Sequence, residues 1–224
     1  MNSKIFVNSI KKWENDSIQE TYIKGGDSMN YDKKNEFPIL YTDRLILREV
    51  IMNDSADIYH YLSDIEVMKY YGLAPFESLK DAEDEIEWYR NIFENSTGIR
   101  WGITLRETDK VIGSCGFLNY TSQHARAEVG AELAKEYWRS GIVSEAFQAI
   151  LAYGFKDMNL MRIQALIEPE NIASRKLAES NGFVKEGLLR KYEYTNGKFD
   201  DLLIYSILKQ EFLLKSDMDS PFSE

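Results

Sequence analysis

Residues 128–146 limit the choice of fold more than any other part of this chain. Glu128, Val129, Gly130, Ala131, Glu132 and Leu133 read as a strand, followed by a short loop through Tyr137, Trp138, Arg139, Ser140 and Gly141. Beyond the loop, Phe147, Ile150, Leu151 and Phe155 recur at helical spacing and predict an apolar helix over 144–155. A helix entered this way leaves its first amides unpaired at the positive end of its dipole, which is a seat for an anion. Gly141 lets the backbone come close to a phosphate there, although a glycine before a helix also serves as a plain turn.

The remaining pattern is mixed. Strands are predicted over 45–48, 101–105, 111–120 and 162–167. Helices are predicted from the Asn53-Asp54-Ser55 cap through Ile58, Tyr61 and Leu62, over 79–94, and over 172–180 with a stop at Asn181-Gly182. Thr108-Asp109-Lys110 reads as a hairpin turn. Tyr192, Glu193 and Tyr194, then Asn196-Gly197, then 201–207 read as a closing hairpin. One α/β domain with a largely antiparallel front half follows from this order, spanning 36–213 between an N-terminal extension (1–35) and a polar tail (214–224). Within the extension, Lys24-Gly25-Gly26 a few codons before Met29 can be encoded as a ribosome-binding sequence. Translation is therefore expected to begin at Met29, with a disordered tail as the alternative.

Composition excludes several classes. With 27 basic and 37 acidic residues the net charge is -10, which argues against wrapping nucleic acid and favours cationic partners or simple solubility. Cys115 is the single cysteine, so no internal disulfide forms, and with only His60 and His124 beside it no metal site is expected. No apolar run approaches the roughly 20 residues of a membrane span. The N-terminus lacks the apolar core of a secretion signal, so no membrane partner and a cytoplasmic location are expected.

The ordered motifs Thr42-Asp43-Arg44-Leu45, Val111-Ile112-Gly113, Glu128-Val129-Gly130, Trp138 through Ala146, and Glu168-Pro169-Glu170-Asn171-Ile172-Ala173-Ser174 resemble the GNAT acetyltransferases. More narrowly they are similar to the branch holding the RimJ and RimL ribosomal-protein N-terminal acetyltransferases, over about 40–212. The resemblance implies the GNAT fold: α/β (α+β), a single mixed, mostly antiparallel sheet flanked by helices, with a splayed pair of parallel strands for CoA. It implies acetyl-CoA as co-substrate, direct transfer to an amine acceptor, and a homodimer. Cofactor contacts are expected from Glu132, Leu133, Arg139, Ser140, Gly141, Ile142, Val143, Ser144, Asn171, Ala173 and Ser174, with Leu133 acting through its backbone. The family's phosphate loop usually reads Gln/Arg-x-x-Gly-x-Gly/Ala, whereas Trp138 and Val143 stand at its ends here.

For catalysis the resemblance puts Ser174 beside the departing thiolate, which its hydroxyl could protonate. Glu128, Glu132, Glu168 and Glu193 are candidates to accept the amine's proton through a water. Glu193 borders the acceptor pocket by resemblance, and Glu168 ends the strand before Asn171. Tyr70, Tyr71, Trp88, Tyr192 and Tyr194 are candidate cleft linings, and Asp201 is expected to orient the last hairpin. The acceptor is open between a protein N-terminal α-amine and a small amine such as a polyamine, amino acid or antibiotic. A non-catalytic acyl-CoA sensor, or a fold relative without cofactor binding, is the contrasting reading.

Overall fold

The computed structural model describes residues 36–195 and 197–218. The expectations for the extension, the Met29 start, Asn196 and residues 219–224 lie outside the described residues.

Eight strands form one sheet among the described residues: β1 (Leu40–Tyr41), β2 (Leu45–Arg48), β3 (Ile99–Leu105), β4 (Val111–Thr121), β5 (Arg126–Leu133), β6 (Arg162–Ile167), β7 (Val184–Thr195) and β8 (Lys198–Leu208). Their order is β1-β2-β3-β4-β5-β6-β8-β7, and every neighbouring pair is antiparallel except β5 and β6. The helices are α1 (Ser55–Leu62), α2 (Ile65–Met68), α3 (Leu79–Glu94), α4 (Ile142–Lys156), α5 (Ile172–Ser180) and α6 (Lys209–Met218). The last of these crosses the domain end expected at 213.

Both faces of the sheet are covered. α4 packs Ala146, Phe147, Ile150, Leu151 and Phe155 against Trp101, Phe117, Val129 and Ile163. On the other face Ile58, Tyr61 and Leu62 of α1 and Ala82, Ile86 and Tyr89 of α3 gather with Val111 and Ala134. Because it lies between two cores, β4 is buried continuously from Val111 to Phe117 rather than alternating.

Local chemistry sets the helix starts. Ser78 caps α3 in a capping box with Asp81, whose carboxylate accepts from the Ser78 amide at 2.8 Å. Asn171 caps α5 by accepting from the Ser174 amide at 3.1 Å. α4 has no side-chain cap: its N-cap is Gly141.

Candidate active site

The parallel pair that was expected to splay does so. β5 and β6 are in register only at Arg126/Arg162, Ala127/Ile163 and Glu128/Gln164, yet β5 runs on to Leu133 and β6 to Ile167. Past Glu128 the two strands share no pairing, and a gap opens inside the sheet. The Ala134 amide donates to the Ile112 carbonyl at 2.8 Å, which makes Ala134/Ile112 a hydrogen-bonded pair with β4. Antiparallel pairs alternate, so Glu132 points its backbone groups at Ser114 of β4, while Leu133 and Ala131 turn theirs toward the gap.

At the end of this edge lies the loop to α4. Arg139 and Gly141 both hold left-handed φ (60° and 79°), a conformation that glycine adopts freely and arginine does not. The loop is clamped from a distant part of the chain. Thr42 Oγ1 and the Arg44 amide donate to Glu145 Oε1 (2.6 and 2.9 Å), Arg44 Nε donates to Glu145 Oε2 (2.6 Å), and Arg44 Nη1 donates to the Ser140 carbonyl (3.0 Å). Ser140 Oγ donates to the Tyr137 carbonyl at 2.5 Å. Ile142, Val143 and Ser144 form the first turn of α4, whose amides precede the first intrahelical acceptor. Unpaired amides at the positive end of a helix dipole are a general seat for an anion.

The expected cofactor residues divide. Leu133, Arg139, Ser140, Gly141, Ile142, Val143 and the Ser144 backbone border one end of the gap; Asn171, Ala173 and Ser174 begin α5, just beyond β6. The Ser144 hydroxyl instead faces Asn181, accepting from its Nδ2 at 3.3 Å. Glu132 is not brought to the gap at all. Its carboxylate is buried in an ion pair with Arg100 and accepts from Ser114 and, at 3.4 Å, from Tyr89. Lys135, at the start of the loop, is paired with Glu66 at 2.5 Å.

That leaves the proton acceptors. Both Glu128 oxygens are occupied, one by Gln164 Nε2 (3.1 Å) and the other by Asn119 Nδ2 (2.9 Å). Among the described residues neither Glu168 nor Glu193 has a hydrogen-bond partner for its carboxylate. Burial, with the charge of Asp200 next, pushes Glu168 above the usual carboxylate range. Burial, then Asp200 and Glu128, does the same to Glu193. Asp200 itself is held low by Lys198 (2.7 Å) and Thr195 (2.6 Å). Ser174 is half-buried, and its hydroxyl is not bonded to the preceding turn.

The segment between α2 and α3 approaches from the opposite side: Tyr70 Oη donates to the Glu170 carbonyl at 3.3 Å, and a Cβ on Gly72 would lie 3.7 Å from the Thr195 methyl. Tyr71 is turned inward to Glu85 at 2.6 Å. Trp88 lies against Tyr89 on α3, and Tyr192 and Tyr194 are exposed on β7. Cys115 is buried in the core, its thiol pushed up to about 12 by burial, and is no nucleophile. Asp201 has the structural role expected of it, accepting from the Lys191 amide at 2.8 Å where β7 is bulged.

A family model described as an acetyltransferase (GNAT) domain matches residues 44–184. The uncharacterized N-acetyltransferase YoaA of Bacillus subtilis is 43% identical over 173 residues, 77% of this chain and 98% of that protein. The ribosomal-protein-serine acetyltransferase of Escherichia coli is 28% identical, over 52% of this chain and 65% of that protein. Among solved structures, the spermidine N-acetyltransferase of Vibrio cholerae in complex with CoA and spermine superposes with a TM-score of 0.67. It is 26% identical and covers 77% of this chain and 99% of that one.

Proposed function

This chain belongs to the acetyltransferase (GNAT) family and is an N-acetyltransferase that uses acetyl-CoA; from that premise we propose that it transfers acetyl directly to a protein N-terminal α-amine. The observation that carries this is the pair Glu168 and Glu193, half-buried carboxylates with raised pKa and no partner among the described residues. An α-amino group has a pKa of roughly 8, against roughly 10.4 for a lysine-type amine. A carboxylate held somewhat high can therefore relieve it of a proton through a water without a stronger base.

In this reading the amine nitrogen attacks the thioester carbonyl carbon while the Leu133 amide, aimed into the gap, steadies the developing oxyanion. The C–S bond breaks, Ser174 passes a proton to the departing thiolate and regains one from solvent, and the amine's proton passes through a water to Glu193 or Glu168. The first-turn amides of α4 hold the pyrophosphate, and the Ala131 backbone pairs with the pantetheine arm as an added strand would. Asn171 keeps its Oδ1 on the helix cap and offers Nδ2 to the same arm. The cytoplasm is the setting proposed for this reaction.

A polyamine acceptor is the second reading. It is favoured by the carboxylates of Glu168 and Glu193, both raised by burial and next by the charge of Asp200, and by the spermidine acetyltransferase resemblance. An acceptor screen following CoA thiol release decides between them. Peptides with small polar N-termini are expected to outpace spermidine and spermine. Faster turnover of the polyamines would replace the first reading with the second, and tight CoA binding with no release on any amine would sink both.

A further inference from the structure

The resembling family leads its phosphate loop with Gln or Arg; here Trp138 leads it. The indole Nε1 donates to the Leu133 carbonyl at 2.8 Å. By the alternation of pairing with β4, that carbonyl is one of the groups turned toward the gap. The bond therefore spans two parts of the site: the edge against which the pantetheine arm lies and the loop whose amides face the pyrophosphate. Trp138 is 42% exposed, so burial of the ring is only part of what holds it in place. At its far side the loop is held by Arg44 on the Ser140 carbonyl. Between these two tethers Arg139 is kept in a left-handed conformation, and Gly141, also left-handed, follows directly.

We propose that Trp138 is a positioning residue for the cofactor, its indole N–H fixing the phosphate loop to the open edge of β5. The same bond uses the outward carbonyl of Leu133. Trp138 thereby also sets where pairing with the cofactor arm ends: the Ala131 groups stay available to the arm, the Leu133 amide is left to the thioester oxygen, and the Leu133 carbonyl is taken. An uncharged donor at this place leaves neutralisation of the phosphates to the helix amides and to Arg139.

The inference rests on the loop being the pyrophosphate seat, and two variants separate the two claims. Trp138→Phe keeps the ring and removes only the donor. The Michaelis constant for acetyl-CoA is expected to rise roughly three- to tenfold, the worth of one hydrogen bond, with kcat nearly unchanged and the melting temperature of the free protein held. Ser140→Glu sets a carboxylate beside the same helix start and is expected to raise that constant by about tenfold or more, less so at high salt. If Ser140→Glu acts and Trp138→Phe leaves the constant at its wild-type value, the Trp138 assignment is wrong. If neither acts, the loop is not the seat. Should Trp138→Phe fail to fold, hydrogen exchange of the Trp138 indole in the 15N-labelled wild-type chain gives the answer. Slow exchange and a shifted resonance on adding CoA support the assignment; exchange at the rate of a free indole overturns it.

Discussion

Across the β7–β8 hairpin Glu193 stands directly opposite Asp200, two acids in one cross-strand pair. Like charges so placed destabilise a hairpin by up to about 1 kcal/mol. Lys198 and Thr195 take charge of Asp200, and the strain falls on Glu193. A carboxyl whose folded pKa is raised binds its proton more tightly in the folded than in the unfolded chain. Ionising it therefore costs stability at every pH above that value. Glu193→Gln is expected to raise the melting temperature at neutral pH by about 1–3 °C. The gain should shrink as pH falls below the folded pKa and be gone below the ordinary glutamate value, where the carboxyl is neutral in both states. The same change should lower turnover and remove the acidic limb of the pH–rate profile, which in the wild type lies above the ordinary glutamate range. A profile that keeps that limb would point to Glu168 as the base. Ser174→Ala should lower turnover more than CoA affinity, and wild-type turnover would take Ser174 out of the mechanism. Asn171 and Asp201 were legible at this scale because each acts on backbone within ten residues. Glu132 was not, since its partner Arg100 lies two strands away, on β3, and only the folded sheet brings the two side chains together across β4.

Elements with a clear period or end signal are readable to the residue: α3 by its helical spacing, α5 between Asn171 and Asn181, and β6. β7 was read too short because it buries almost no face, leaving no alternation to find between Val184 and Tyr192. β1 and α2 are too brief to carry a period, and the polar residues of α6 beyond 213 read as tail. The clamp on α4 is the main element-scale feature invisible in sequence. Thr42 and Arg44 stand out as a motif, but nothing along the chain says that they grip Glu145. Burial alone would push the Glu145 carboxyl up; bonds from Thr42 and Arg44 outweigh it and hold the group low. Its contribution to stability is thus present above the usual glutamate pKa and lost as pH falls through the lowered value. Glu145→Gln is expected to destabilise the protein by on the order of 1–2 kcal/mol at neutral pH. It should also weaken acetyl-CoA binding by loosening the loop at Ser140. An unchanged denaturation midpoint and unchanged CoA affinity would show that the clamp does neither.

At the scale of the whole molecule, a mixed, mostly antiparallel sheet was foreseeable from the order of strands and helices. The sequence does not reveal that β8 enters beside β6 and leaves β7 at the edge, because both orders satisfy the same turn and periodicity. A ligand held only by the folded chain must stabilise it, so CoA at about a hundredfold excess over its dissociation constant should add about 2.7 kcal/mol, roughly 5–10 °C in melting temperature. No shift would count against CoA binding altogether. The wedge between β5 and β6 gives this a particular meaning. Five strands on one side and three on the other are joined by only three residue pairs, and the rest of that border is vacant rungs. A co-substrate that fills those rungs completes the ladder for as long as it stays. Under the proposed mode of binding, each catalytic cycle unzips what binding has zipped, because the spent carrier keeps the same arm and the same rungs after its acetyl group has gone. The enzyme's turnover is then tied to how readily its own sheet gives up a strand.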